Sequence, residues 1–194
     1  MARYSLTLNT APTVEPVTVG EIKAHLRIDH GDQDDYLETL ITAARQACES
    51  ATRRALVEQT WKMYLDAFPA AIRPPRPPLR SVSSLQYVDT DGNTQTLDSG
   101  QYDVDTDREP GEVREAYGCC WPSTRDHPNA VIVTFKAGYG TDAASVPAPV
   151  KHAIKLLAAH LYEHPESVVV GMIAAELPQG VEYLLAPYRA WGEQ

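Results

Sequence analysis

The feature that most constrains the fold is a junction near residue 140, where strand-like sequence ends and helical sequence begins. Residues 130–135 are mostly β-branched and aromatic, which is typical of a strand. Gly138 and Gly140 follow, and glycine adopts turn conformations that other residues resist. From 150 to 164 apolar residues recur at helical spacing, and Pro165 ends the pattern. A β region is therefore followed by a helix.

A helical region also precedes the β region. Thr18 and Glu21 have the spacing of a capping box at the start of a short helix, which we expect to end near Gly31. Asp32 is predicted to cap a longer helix that reaches about Ala55. Apolar residues recur along one face of this longer helix, which indicates that the face is buried.

The middle of the chain has the alternation of short strands. Residues 60–65 alternate in the manner of a strand, and residues 85–97 predict two strands joined at Asp91-Gly92, a residue pair that tight hairpin turns favour. Several short strands with turns between them indicate a small antiparallel sheet or a barrel-like module. Residues 108–129 match no pattern that predicts a structure.

Together these segments predict an α+β fold, in which an antiparallel β insertion interrupts a small helical body of three main helices and a C-terminal helix. The predicted parts are helical residues 1–58, the β insertion 59–140, and helical residues 141–194. Within the last part, the apolar run 168–175 suits either a partner interface or a position under the chain's own β module. Pro187 should kink or end the last short helix.

Composition narrows the class of function. The formal charge of −9 argues against a protein that grips nucleic-acid phosphates, because such a protein replaces counterions with Lys and Arg. We identify no signal peptide and no membrane span, and expect a cytosolic protein that does not bind membranes. The three cysteines lack metal-site or disulfide spacing, so reduced thiols are expected.

One string resembles an enzyme motif. His160, Glu163 and His164 fit the H-x-x-E-H pattern of inverted zinc peptidases, in which two histidines share a zinc ion and the glutamate activates water. A third ligand would have to come from elsewhere, and Pro165 ends the helix directly after the motif. A polar helix end explains the same residues. We therefore predict no enzyme, no catalytic residue, no metal site and no cofactor, with a small zinc-dependent hydrolase as the alternative.

Several architectural markers recur in a characteristic order along the chain. They are the segment 17–28, the acidic start of the second helix, 77–82 leading into 87–92, the junction 135–140, Val146-Pro147, and 184–189. In this order they resemble the head-tail connector family of tailed bacteriophages, also called head-completion adaptors, in the long form with a β insertion. The resemblance spans most of the chain, and its specificity comes from order and spacing, since no marker is catalytic.

The resemblance implies a structural adaptor of a phage or phage-like particle. Such a protein forms a homo-oligomeric ring of about twelve subunits beneath the portal protein, extends the DNA channel and offers the tail an attachment surface. A tail-side completion or stopper protein would bind next, and DNA would pass without specific binding. The implied location is the head-tail interface of the virion, and the host bacterial cytoplasm before assembly. A binding module of a tail component is another alternative.

Two groups of residues follow from the resemblance as candidate sites. The end of the chain would reach into the portal, although the same side chains could instead close the subunit's own core. Acidic residues at the start of the second helix would line the channel and repel DNA phosphate, although an ordinary solvated helix face has the same composition. The docking residues are Tyr183, Leu184, Leu185, Tyr188 and Trp191, and the channel-lining residues are Asp32, Asp34, Asp35 and Glu38.

Overall fold

The computed structural model describes residues 4–164 and 178–190, which form two compact units. The β unit contains residues 4–12 and 58–139, and the helical unit contains residues 13–57 with the described residues from 140 onward. The described helices and the antiparallel sheet confirm the predicted α+β class. The apolar run 168–175 lies outside the described residues.

The β unit is built on a five-stranded antiparallel sheet. The order of its strands across the sheet is β1 (Tyr4–Thr10), β2 (Gln59–Leu65), β7 (Val131–Ala137), β3 (Leu79–Val88) and β4 (Thr94–Thr96). One face of the sheet carries the core, because alternate residues of the central strand β7 are fully buried and those between them are half-buried.

The predicted hairpin joins β3 to β4. Gly92 adopts a φ of 92°, a left-handed value that glycine tolerates. The carboxylate of Asp89 accepts hydrogen bonds from the backbone N–H groups of Asp91 and Asn93 at 3.0 and 2.8 Å. A short-range signal in the sequence therefore identified this turn correctly.

The first strand differs from the predicted division of the chain. The prediction assigned residues 1–58 to the helical body, whereas Tyr4–Thr10 forms β1 and pairs along β2. The strand is brief and mostly exposed, and its partner begins about fifty residues later, so only long-range pairing reveals it. The sheet is therefore not a pure insertion, because its edge strand precedes the first helix.

A separate two-stranded ribbon completes the β unit. Strands β5 (Tyr102–Asp105) and β6 (Glu112–Glu115) pair antiparallel, and Ile72 forms a bridge with Val113 of β6. The region 108–129 thus contains β6 followed by an irregular segment. This segment is tied to the unit by Trp121, which stacks on Phe68 with 4.7 Å between ring centroids.

In the helical unit, the predicted capping box at the first helix is confirmed. α1 spans Val19–Leu26, and the N–H of Glu21 donates to the Thr18 hydroxyl oxygen at 3.2 Å. The N–H of Thr18 in turn donates to the Glu21 carboxylate at 2.9 Å, which holds the pKa of that carboxyl below its usual value. The helix ends earlier than predicted, because Arg27 rather than Gly31 takes the left-handed conformation, with φ of 60°.

The second helix starts slightly later than predicted. α2 spans Asp34–Thr52, Gln33 is its N-cap, and Asp32 provides no capping hydrogen bond. Asp34 instead bonds the Lys23 ammonium at 2.9 Å. The remaining helices are α3 (Ala148–Glu163) and α4 (Gln179–Leu185), and a 3₁₀ turn at Ala186–Tyr188 follows α4 at the position where Pro187 was expected to end it.

A buried ionic network stabilises the turn after α2. Arg45, which is only 5% exposed, contacts Glu15 and Glu49, each at 2.8 Å. The second oxygen of Glu49 accepts the backbone N–H of Leu56 at 3.0 Å. Charged residues are rarely buried unless they are paired, and here the buried Arg45 and Glu49 form an ion pair with each other. The sequence did not predict this network. Arg45 and Glu49 both lie on α2, for which the periodicity predicted only a buried apolar face.

Candidate docking and channel surfaces

Helix α4 has a buried face and an exposed face. Val181 and Leu185 are 1% and 0% exposed, so they belong to the core of the helical unit. Tyr183 projects the other way and is 81% exposed, while Leu184 and Tyr188 are half-buried. The helical period explains this division, because residues four apart share a face and the residue between them lies on the other side.

The chain beyond α4 is tied to the end of α2. The Arg54 guanidinium, itself buried, donates to the backbone carbonyl of Tyr188. The N–H of Ala190 donates to the carbonyl of Thr52 at 2.8 Å. The two hydrogen bonds give partners to carbonyl groups that have none within their own helices, and they fix the position of the backbone up to residue 190. The sequence offered no signal for this clamp.

The five predicted docking residues therefore do not form one surface. Leu185 is a core residue, as the alternative interpretation of these side chains held. Tyr183 is the exposed member, with Leu184 and Tyr188 partly available beside it. Trp191 lies outside the described residues. Docking through this helix stays a prediction that now depends chiefly on Tyr183.

The four predicted channel residues divide in a similar way. Asp35 and Glu38 are exposed on α2 and line one shallow depression with Thr39 and other residues of the same helix. The Asp34 carboxylate forms an ion pair with the Lys23 ammonium, as described above. Asp32 lies before the helix with its side chain 89% exposed, and its carboxylate is 3.6 Å from the His30 ring.

The exposed face of α2 carries no positive charge. Arg45 is the single Lys or Arg of this helix, and it is buried in the ionic network. Beyond Glu38 the exposed side chains are uncharged, among them Thr39, Ala43 and Gln46. A helix face with carboxylates at its start and no exposed cation has a negative potential, which repels polyanions. This property was hidden in the sequence, because nothing local reveals that Arg45 is buried.

Within the described residues, the zinc-motif histidines contact each other but no further potential metal ligand. The rings of His160 and His164 lie 4.7 Å apart, and both side chains are exposed at the end of α3. The Nδ1 atom of His164 lies 3.1 Å from the carbonyl oxygen of His160. Over residues 4–164 and 178–190, no group of three His, Cys, Asp or Glu side chains is arranged to hold a metal ion.

Among the helices that the structure describes, none has the length and apolar character needed to cross a membrane.

Comparison with known proteins identifies relatives of both the sequence and the fold. The family model for phage gp6-like head-tail connector proteins matches residues 16–86. No curated protein matches the chain.

Solved structures match over nearly the whole length. A chain in the virion of a native gene transfer agent (GTA) particle is 28% identical with a TM-score of 0.77, and the match covers 97% of both chains. A chain in the neck of the empty GTA particle, computed with C6 symmetry, is 26% identical with a TM-score of 0.75, covering 98% of this chain and 97% of the other. A chain in the neck of the native particle, computed with C12 symmetry, is 27% identical with a TM-score of 0.71, covering 97% of each chain.

These findings agree on one kind of protein. The family match covers the first two helices, β2 and most of β3, and the structural matches extend over both units. The matched chains are parts of virions and of their necks, so the relatives are structural components of particles. The protein is a virion structural component, a head-tail connector of a phage-like particle, and its residues 16–86 match the family of phage gp6-like head-tail connector proteins.

Proposed function

We propose that this protein assembles as a ring of about twelve subunits beneath the portal, extends the DNA channel and provides the surface to which a tail-side completion or stopper protein binds. The observation that carries the proposal is its similarity, over 97% or more of its length, to neck chains computed with C6 and C12 symmetry. A ring with rotational symmetry joins two different complementary surfaces of each subunit.

Portal docking is assigned to the exposed face of α4. Tyr183 is a large amphipathic side chain that the subunit leaves uncovered, and aromatic residues dominate protein interfaces energetically. The helix beneath it is anchored by Leu185, and the following turn is held by Arg54. A preordered anchor loses little conformational freedom on binding, which favours affinity. Leu184 and Tyr188 flank it, and Trp191 follows directly after the clamped Ala190.

The channel surface is assigned to the outer face of α2. Asp35 and Glu38 project together from it, with Asp32 just before the helix, and no cation of the helix is exposed to attract phosphate. A negatively charged wall repels DNA phosphate. Because no cation of this face replaces the counterions of the DNA, no bound state forms that would stop the DNA from sliding. Before assembly the subunits would be present in the host cytoplasm.

Native mass spectrometry tests the assembly. The protein is measured alone and mixed with its cognate portal, without chelator and without a metal-affinity tag. A ring-sized species, or a complex that appears only in the mixture, is the expected result. A subunit that ignores the portal at all concentrations would contradict the proposal, and a zinc adduct lost in the His160→Ala variant would instead support the hydrolase alternative.

Charge reversal tests the channel assignment. The double variant Asp35→Lys and Glu38→Lys should slow DNA ejection from assembled particles, because lysines would bind phosphate, and the effect should shrink as salt screens it. The matched control reverses Asp103 and Asp107, two exposed acids of the β unit, and changes the total charge equally. Equal ejection rates in both variants would show that the face of α2 does not line the channel.

A further inference from the structure

Strand β1 leaves one edge of the sheet open. It pairs with β2 from Tyr4 to Thr10, and in the described part of the chain no strand lies on its other side. Six of its seven residues are exposed, including Tyr4 at 51% and Leu8 at 46%. Backbone N–H and C=O groups along such an edge point outward and can pair with another strand.

Between Tyr4 and Leu8, β1 has none of the usual protection of an edge strand. Proteins usually protect edge strands with lysine, proline, a bulge or a very short length. β1 contains no charged residue and no proline over its seven residues, and its register with β2 is regular from Tyr4 to Leu8 and shifts only between Leu8 and Thr10, at the end of the strand. The opposite edge strand, β4, is protected by its length of three residues. The first edge is therefore the one suited to binding a strand.

The sequence of β1 is complementary to itself. Tyr4, Leu6 and Leu8 share the face on which the neighbouring strand buries Met63, and the polar Ser5 and Thr7 lie on the other face. The order apolar, polar, apolar, polar, apolar reads the same in both directions about Leu6. When two copies run antiparallel with this residue at the centre, apolar side chains meet apolar ones and hydroxyls meet hydroxyls.

We propose that the unassembled protein forms a two-fold dimer through antiparallel pairing of β1 with β1 of a second copy, centred on Leu6. Leu6 then lies opposite its own copy, Tyr4 lies opposite Leu8, and Ser5 lies opposite Thr7. Pairs of this kind, aromatic with aliphatic and hydroxyl with hydroxyl, stabilise antiparallel sheets. The contact joins two five-stranded sheets into one continuous sheet and covers the two exposed apolar side chains.

This dimer is distinct from the ring. A two-fold contact uses the same surface on both partners, whereas rotational ring closure requires two different surfaces. The dimer thus occupies the open edge while subunits wait for assembly, which prevents uncontrolled edge-to-edge aggregation.

The dimer should be weak and should tighten with salt. One strand pair is at the low end of interface size, which indicates a Kd on the order of micromolar. Each chain carries a formal charge of −9, while β1 itself has none, so the partners repel at long range without any ion pair at the contact. Added salt screens the repulsion and lowers the Kd, the opposite of a salt-bridged interface.

Site-specific disulfides test the register, in a background with Cys119 and Cys120 replaced by serine. Leu6→Cys should give a covalent dimer on mild oxidation, because the two thiols lie directly opposite one another. Leu8→Cys is the matched control. It is more exposed than Leu6, but its two copies would stand about 13 Å apart along the strands and should not link. Adding Tyr4→Cys to Leu8→Cys should restore the link.

Sedimentation velocity tests the dimer without cross-linking. The wild-type protein should pass from monomer to dimer in the micromolar range, and Thr7→Lys should weaken association at least tenfold. Thr96→Lys makes the same change on the opposite edge and should leave association unchanged. A wild-type protein that stays monomeric to about 100 μM overturns the proposal. So does association that Thr7→Lys does not weaken, or cross-linking of Leu8→Cys as rapid as that of Leu6→Cys.

Discussion

Replacing two residues of α4 one at a time should separate stability from portal binding. Leu185 is fully buried and Tyr183 is 81% exposed, so each side chain contributes to a different contact. Leu185→Ala should lower the free energy of unfolding by about 2–5 kcal/mol, the cost of truncating a buried leucine and leaving a cavity. Tyr183→Ala should change it by less than about 0.5 kcal/mol, because most of this side chain is already in water.

For binding to the portal we expect the opposite order, with the larger effect from Tyr183→Ala. If Tyr183 is a central anchor, its truncation costs about 2 kcal/mol of binding free energy, which corresponds to roughly a 30-fold weaker complex with the portal. Urea denaturation of the isolated subunit measures stability, and interferometry with immobilised portal measures affinity at a temperature where every variant is folded. Tyr117→Ala is the matched control, since this tyrosine is 103% exposed and lies in the β unit.

Two results would refute this reasoning. Wild-type portal affinity of Tyr183→Ala would remove α4 from the docking surface, whatever the stability of the variant. An unchanged denaturation midpoint for Leu185→Ala would mean that its burial contributes little to the fold. If Tyr117→Ala weakened the complex as much as Tyr183→Ala, the portal would contact the β unit as well.

Three further predictions concern individual groups. Burial raises the pKa of Glu112, but a hydrogen bond from Arg114 and the charges of three arginines outweigh burial and hold the pKa below the ordinary 4.5. The ionised carboxylate therefore stabilises the folded state above about pH 4.5, and this stabilisation is lost as pH falls through the lowered pKa. Acid titration should therefore destabilise the wild type more than Glu112→Gln, and parallel titration curves would contradict this. Burial raises the pKa of the Cys48 thiol to about 12, so alkylation of the folded protein at neutral pH should label Cys119 and Cys120 alone, whereas labelling of all three would show that this core opens. Thr18→Ala should cost about 1 kcal/mol of unfolding free energy through loss of the helix cap, and Thr18→Ser should restore most of it.

Local features of the fold could be predicted from the sequence because they depend on a few adjacent residues. The cap at Thr18 is set by a side chain three positions from its partner, and the turn at Gly92 depends on a residue that accepts a positive φ. The apolar run of α3 likewise identifies a helix and its buried stripe. These signals also carried the resemblance to head-tail connectors, since each marker is local and only their order matters.

The candidate surfaces were predictable only in part. The sequence around Tyr183 and Leu185 predicts apolar anchor residues, but it does not indicate which side of this short helix the rest of the chain covers. The start of α2 reads as acidic, yet the absence of an exposed cation on that helix depends on the burial of Arg45 against Glu15, thirty residues earlier. Contacts between distant residues decide which side chains remain available to a partner.

Local sequence was enough to predict the main helices, the cap at Thr18, the hairpin and the acidic character of this protein, because backbone preference, side-chain period and charge are properties of neighbouring residues. Three features became evident only from the folded chain: Tyr4–Thr10 joins the sheet, Arg45 is buried, and Tyr183 rather than Leu185 faces outward. Burial and strand pairing arise when segments far apart in the chain come together, and no local pattern records which partner each segment will meet.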